Sequence, residues 1–342
     1  MRGKFALTGW RLIWALPLIA AAQMSSACPG HAAEWDDVVA AAKREGKLVV
    51  YVGAPTTPKE IGAIVEKRYG IPVEMLFGRA SEIRERIRTE QASGRPIADV
   101  LISGATTVGP VVEGGGGQPH GGIPNTTRLV APFRDNGTIL PLSVTRFTLL
   151  VNSDLVKPGS EPASWTDLLD PKWKGKILSD DPRAAGGGNG ALAVLYERYG
   201  RDYAERYAAQ APTFSREILV NERRVARGEF PIMFPFNSQN LAQLQGLPVR
   251  LVAPRDGIPF ITIEVTRLKD APHPNAARVL MNEVLGAEYQ GVIADRGYGS
   301  PVGARSEKLP PELSSLDQAT LMGQADFRKS DEMLKVFEEI FK

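Results

Sequence analysis

Hydrophobic residues open this chain as one block and then settle into short periodic runs. Arg2, Lys4 and Arg11 precede the apolar stretch Leu12 to Ala22, and small residues follow it. A basic start, an apolar segment too short for a comfortable membrane span and a small-residue end form an export leader over residues 1–33, cleaved after Ala32 or nearby. Ser25-Ser26-Ala27-Cys28 leaves lipidation at Cys28 as an alternative, and an uncleaved anchor as another.

Beyond the leader the pattern alternates. Trp35, Val38, Val39 and Ala42 recur at helical spacing, and Gly46 is placed to stop that helix. Leu48 to Val52 is a buried strand by composition, and Gly53-Ala54-Pro55-Thr56 turns the chain. Thr57-Pro58-Lys59-Glu60 reads as a capping box with proline at the first helical position, and Gly70 closes the helix. Val73 to Phe77 is a second strand, Ile83 and Ile87 mark a helix ending at Gly94, and Asp99 to Ser103 is a third strand. Strands alternating with helices at this spacing predict a parallel sheet covered by helices, an α/β architecture. Ligands bind beyond the carboxyl ends of such strands, which directs attention to the segments after Val52, Phe77 and Ser103.

Residues 104–128, with Gly114 to Gly117 and Gly121-Gly122, read as a long glycine-rich loop, either a cleft lip or a solvated excursion. An extended run follows at 142–151. The second half alternates again: helices near 192–199, 216–227, 275–285 and 287–294, and strands near 177–179, 230–234, 249–252 and 261–265.

Charge changes the picture only once the leader is set aside. The whole chain is +2, but losing the leader removes three basic residues and no acidic ones, leaving 38 against 39 and a net charge of −1. Nothing in that balance calls for nucleic acid or an anionic membrane as partner. Cys28 is the chain's one cysteine, so the exported protein has no disulfide or thiolate to rely on. Roughly 309 remaining residues are enough for two cored domains. With His120 and His273 far apart, no cysteine and no Gly-x-Ser-x-Gly, an enzyme is not expected, and neither a cofactor nor a metal is implied.

Several blocks resemble the bacterial extracellular solute-binding proteins of ABC transporters, type II class, in the subset that binds ferric iron, thiamine, polyamines or phosphonates. They are the Trp35 helix with Gly46-Lys47-Leu48-Val49-Val50-Tyr51, then Gly78-Arg79-Ala80-Ser81-Glu82-Ile83, and Val151-Asn152-Ser153-Asp154-Leu155-Val156. The most specific runs from Ser164-Trp165-Thr166-Asp167 to Gly175-Lys176-Ile177. Ala226-Arg227-Gly228-Glu229, Pro272-His273-Pro274-Asn275 and the stretch from Gln290 to Val302 complete the match. The resemblance implies two α/β lobes, each a mixed sheet covered by helices, joined by two extended crossovers with the ligand between them. On that reading lobe 1 is 34–142 plus 256–309 and lobe 2 is 143–255 plus 310–342, with hinges near 142–148 and 253–260. It also implies a monomer in the periplasm that closes on its ligand and is recognised by an ABC permease. A ligand-binding partner of a sensor system would have the same lobes.

Ferric binders of this subset carry two adjacent tyrosines after the strand that follows the Gly-Glu element. Here that strand leads to Pro235-Phe236-Asn237-Ser238, which turns the reading away from iron. Thiamine-type binding by stacking, or a polyamine, stays open as an alternative. Arg79 and Arg183 each stand at an expected helix start, where a guanidinium fork and unpaired N–H groups suit a carboxylate or phosphonate. Arg146 at the crossover is a third candidate. Ser103, Thr106, Asn237 and Ser238 are expected as neutral donors, Gly186 and Gly187 as backbone donors, and Ala54 lies in the turn beyond the first strand. The expected ligand is therefore a small organic anion.

Overall fold

The computed structural model describes residues 29–54, 57–184 and 186–342. The expected leader, with Cys28, falls almost wholly outside them. Helix α1 (Pro29–Glu45) leads into β1 (Leu48–Val52), α2 (Glu60–Tyr69), β2 (Val73–Phe77), α3 (Ala80–Ala92) and β3 (Val100–Gly104). β1 pairs in parallel with both β2 and β3, as the alternation predicts. Gly70 ends α2 with φ 71°, a left-handed conformation that glycine adopts without a Cβ penalty. The start of α2 differs from expectation. Lys59 is its N-cap, with no side-chain bond, and Thr57 Oγ1 is buried without a partner among the described residues, so the Thr57 box does not form.

Residues 105–113 are helix α4 (Ala105–Glu113), not loop. Ala105, Val108 and Val111 repeat along one buried face and outweigh the helix-breaking Gly109-Pro110 pair in the middle. The glycine-rich part proper then follows, including the short strand β4 (Gly117–Gln118).

The long strand β5 (Ile139–Asn152) is buried almost end to end and links two sets of strands. Its first half lies antiparallel to β10 (Ile258–Leu268), with Arg146 opposite Phe260. From Phe147 onward it pairs instead with β8 (Ile232–Asn237), and from Leu149 with β9 (Val249–Val252). β6 (Ile177–Ser179) runs parallel to β8, and β7 (Thr213–Phe214) parallel to β6. Helix α5 (Gly187–Ala209) and helix α6 (Ile218–Ala226) fill the intervals. After β10 come α7 (Pro274–Val284), α8 (Ala287–Asp295), the short α9 (Pro311–Ser315), β11 (Leu321–Gly323) and α10 (Ser330–Ile340). β10 itself changes partner, from β11 at Ile258 and Pro259 to β3 and β5 beyond.

These pairings give an α/β fold of two lobes. One core gathers Val50, Ile61, Ile102, Leu142, Leu280 and Tyr289 around the parallel strands. The other gathers Phe147, Trp165, Leu192, Tyr207, Phe234 and Phe337. The Ser164-Trp165 block earns its place here. Ser164 and Asp167 bond reciprocally as a capping box, while the buried Trp165 indole donates to the Gly257 carbonyl at 2.8 Å. Among the described residues no helix is long and apolar enough to cross a membrane.

Candidate functional site

Between the two cores lies a cavity of about 790 Å³. One side is formed by Ala105 and Thr106 at the start of α4, with Phe260 and Ile261 from β10 and Tyr298 beyond α8. The other is formed by Gly186, Gly187 and Asn189 at the start of α5, with Asn237, Gln239 and Asn240 after β8. Residues Gln324 to Phe327, from the C-terminal segment, complete the wall.

Two helix N-termini therefore face one space. The N-caps are Gly104 for α4 and Gly186 for α5, and neither supplies a side-chain cap. First-turn N–H groups and the positive end of each helix dipole favour an oxyanion there. The two ends are not equivalent. At α5 the Asp180 carboxylate accepts from Gly188 N at 2.7 Å, taking one of the first-turn donors. Burial holds the Asp180 carboxyl above the usual carboxylate range, against the pull of the Gly188 N–H and Arg216. The rest of the lining is amide and hydroxyl on an apolar base of Phe147, Phe260 and Met333, with the charged side chains of Asp326 and Arg296, the latter paired with Glu60.

Of the residues expected from sequence, Thr106, Gly186, Gly187 and Asn237 line the cavity. The others do not. Arg79 is exposed, and its guanidinium pairs with Glu82 at 3.8 Å on the same helix. Arg183 is spent on structure: two bonds to Asp181 at 2.8 Å, one to the Phe341 carbonyl at 2.9 Å, and a stacked position 5.0 Å from the Phe214 ring. Arg146 is buried in β5, bonded to Asp317 at 2.9 Å and to the Gly297 carbonyl at 3.2 Å. Ala54 is buried at the end of β1. Ser103 and Ser238 are buried with hydroxyls that have no bonding partner among the described residues. The arginines were attractive because their positions along the chain suit a cleft; their side chains find acidic partners first.

Sequence reasoning missed Thr145, Asn189, Tyr298 and the stretch Gln324 to Phe327. Asn189 stands two residues from Gly187 and was within reach of the same argument. The C-terminal stretch had no local signal, because only tertiary folding returns it to the cavity.

A family model described as bacterial extracellular solute-binding protein matches residues 95–330. The chain belongs to that family. The family and its fold neighbours are binding proteins. A Salmonella typhimurium (strain LT2) protein, provisionally named as a 2-aminoethylphosphonate-binding periplasmic protein, is 27% identical over 267 residues, 72% of this chain and 73% of its own. The periplasmic binding protein AfuA of Actinobacillus pleuropneumoniae, solved with fructose-6-phosphate, superposes with TM-score 0.66 at 22% identity, over 86% of this chain and 97% of that one. The Trichodesmium protein IdiA (FutA), solved with iron and citrate, superposes with TM-score 0.72 at 19% identity, over 86% and 99%. At such identities the structures establish the shared two-lobed fold of this solute-binding family.

Proposed function

We propose that this solute-binding protein captures a small organic anion, of phosphonate, phosphate-ester or carboxylate type, in the interlobe cavity. Capture closes the lobes about β5 and the start of β10, and the closed monomer delivers its solute to an ABC permease. The lobes are 34–142 plus 256–309 and 143–255 plus 310–342. Packing supports that division: the core around Val50 and Leu280 draws on the first set and the core around Trp165 and Phe337 on the second.

The observation that carries the ligand class is the convergence of the α4 and α5 N-termini, from opposite lobes, on Thr106 and Gly187. Their backbone donors take the place expected of Arg79 and Arg183. A ferric site is disfavoured by the lining: among the described residues it carries one carboxylate, Asp326, and one phenol, Tyr298, whereas Fe(III) calls for several anionic oxygens. Phe236, where the iron binders' tyrosine pair is expected, is fully buried.

Thermal-shift titration of residues 34–342 tests this reading. 2-aminoethylphosphonate, inorganic phosphate, citrate, thiamine and ferric ion are compared. A solute at a hundred times its Kd stabilises the folded state by about 2.7 kcal/mol. Stabilisation by at least one of the anions is expected. Stabilisation by ferric ion or thiamine alone sinks the proposal.

A further inference from the structure

We propose that residues 321–330 form a strap that ties the two lobes together beside the cavity, and that Phe327, seated on Gly109, sets how readily the cleft opens. The strap's course is the first observation. β11 pairs with β10 at Ile258 and Pro259, and Met322 and Ala325 pack on the core around Trp165. The chain then crosses to the other lobe. Gln324 Oε1 accepts from Thr262 N at 2.9 Å, Phe327 reaches α4, and Arg328 Nε donates to Glu113 at 2.7 Å at the end of that helix. From Ser330 it returns as α10, whose Met333 and Phe337 rejoin the core around Trp165.

The second observation is the seat itself. A Cβ at Gly109 would lie 2.4–2.6 Å from three atoms of the Phe327 ring, so only glycine admits the ring there. Glycine in mid-helix is unfavourable and is followed here by Pro110, yet α4 retains both. The close approach of the ring accounts for the glycine. By contrast the Arg328–Glu113 pair is well exposed on both sides and contributes little.

The third observation links strap and solute. Gln324, Asp326, Phe327 and Ser330 line the same cavity as the start of α4. Relative motion of the lobes about β5 and β10 must therefore carry the strap with α4 or unseat Phe327. This inference depends on the two cores and not on which solute is bound.

The test is a distance between spin labels at Arg88→Cys on α3 and Asp202→Cys on α5, both exposed, in residues 34–342, which contain no native cysteine. In the ligand-free protein, Phe327→Ala and Gly109→Ala each shift and broaden the interlobe distance by several ångströms, while Arg328→Ala leaves it near that of the parent. Circular dichroism melts verify that each variant is folded. If Phe327→Ala does not fold, Gly109→Ala is read alone, since alanine favours helix α4 and displaces only the ring. A distance distribution superimposable on the parent's in the folded ring or seat variant overturns the proposal.

Discussion

Glu222 Oε1 accepts a 2.6 Å hydrogen bond from Asn240 Nδ2, joining a carboxylate buried in α6 to a residue of the cavity wall. Burial pushes the Glu222 carboxyl up to about 7 from the ordinary 4.5, with Asn240 and then Arg223 pulling the other way. Burial likewise raises Glu264, bonded to Thr262, to about 6. A carboxyl whose folded pKa is raised binds more protons folded than unfolded between the two values. Its contribution to stability is complete below about 4.5 and is lost as pH rises through the folded value. The protein is therefore expected to lose stability between pH 5 and pH 8. Glu222→Gln, which retains an acceptor for Asn240, should flatten that slope and be more stable than the parent at pH 8 by about 2 kcal/mol. Urea denaturation of both proteins at pH 5, 6.5 and 8 measures it, and parallel slopes would contradict the assignment.

Gly188 and Gly190 should respond oppositely to alanine. A Cβ at Gly188 would stand 2.5 Å from the Asp180 carbonyl oxygen, a backbone atom that cannot swing aside. Gly188→Ala is expected to cost about 1–3 kcal/mol, as overpacking does. It should also weaken solute binding by displacing the start of α5. Among the described residues Gly190 has nothing within 4 Å of such a Cβ and stands inside the helix, so Gly190→Ala should gain up to about 1 kcal/mol. Equal effects in a thermal melt would refute the packing argument.

The alternation of apolar strands and helices was legible throughout, because buried runs such as Leu48 to Val52 and the spacing of Leu192, Leu195 and Tyr199 leave few other folds. The glycine-rich reading of 104–128 failed at α4, since Gly109 and Pro110 mask a helix whose glycine answers to Phe327, more than two hundred residues away. The lining of the candidate cavity was partly legible. Gly186, Gly187, Thr106 and Asn237 follow from the rule that ligands lie beyond strand ends and at helix starts. Arg79 and Arg183 obey the same rule by position, but the sequence does not reveal that Glu82 and Asp181 engage them.

Arg183 and Arg79 separate structure from binding. Arg183→Ala removes bonds to Asp181 and to the Phe341 carbonyl at the C-terminal helix, and is expected to cost about 2 kcal/mol. Arg79→Ala, with its exposed side chain, should stay within about 0.5 kcal/mol of the parent. Neither should change the Kd, measured by calorimetry, for whichever anion of the thermal-shift comparison stabilises the protein. A tenfold loss of affinity in folded Arg183→Ala would return that side chain to the ligand.

Arg146 and Asp317 bear on the crossover. Arg146 stands where β5 passes from β10 to β8, and its guanidinium is held between Asp317 and the Gly297 carbonyl, with Nε unpartnered among the described residues. Burial lowers the guanidinium's pKa, and the bond to Asp317 opposes that shift without cancelling it. Removing one partner of a buried pair leaves a charge without compensation, whereas replacing both by apolar side chains avoids the penalty. Asp317→Leu is expected to cost about 3 kcal/mol. The double variant Arg146→Met, Asp317→Leu should cost clearly less than that single change, giving a coupling free energy of about 1–3 kcal/mol in a double-mutant cycle. Strictly additive losses would mean that the two side chains contribute independently and that this ion pair does not hold the crossover.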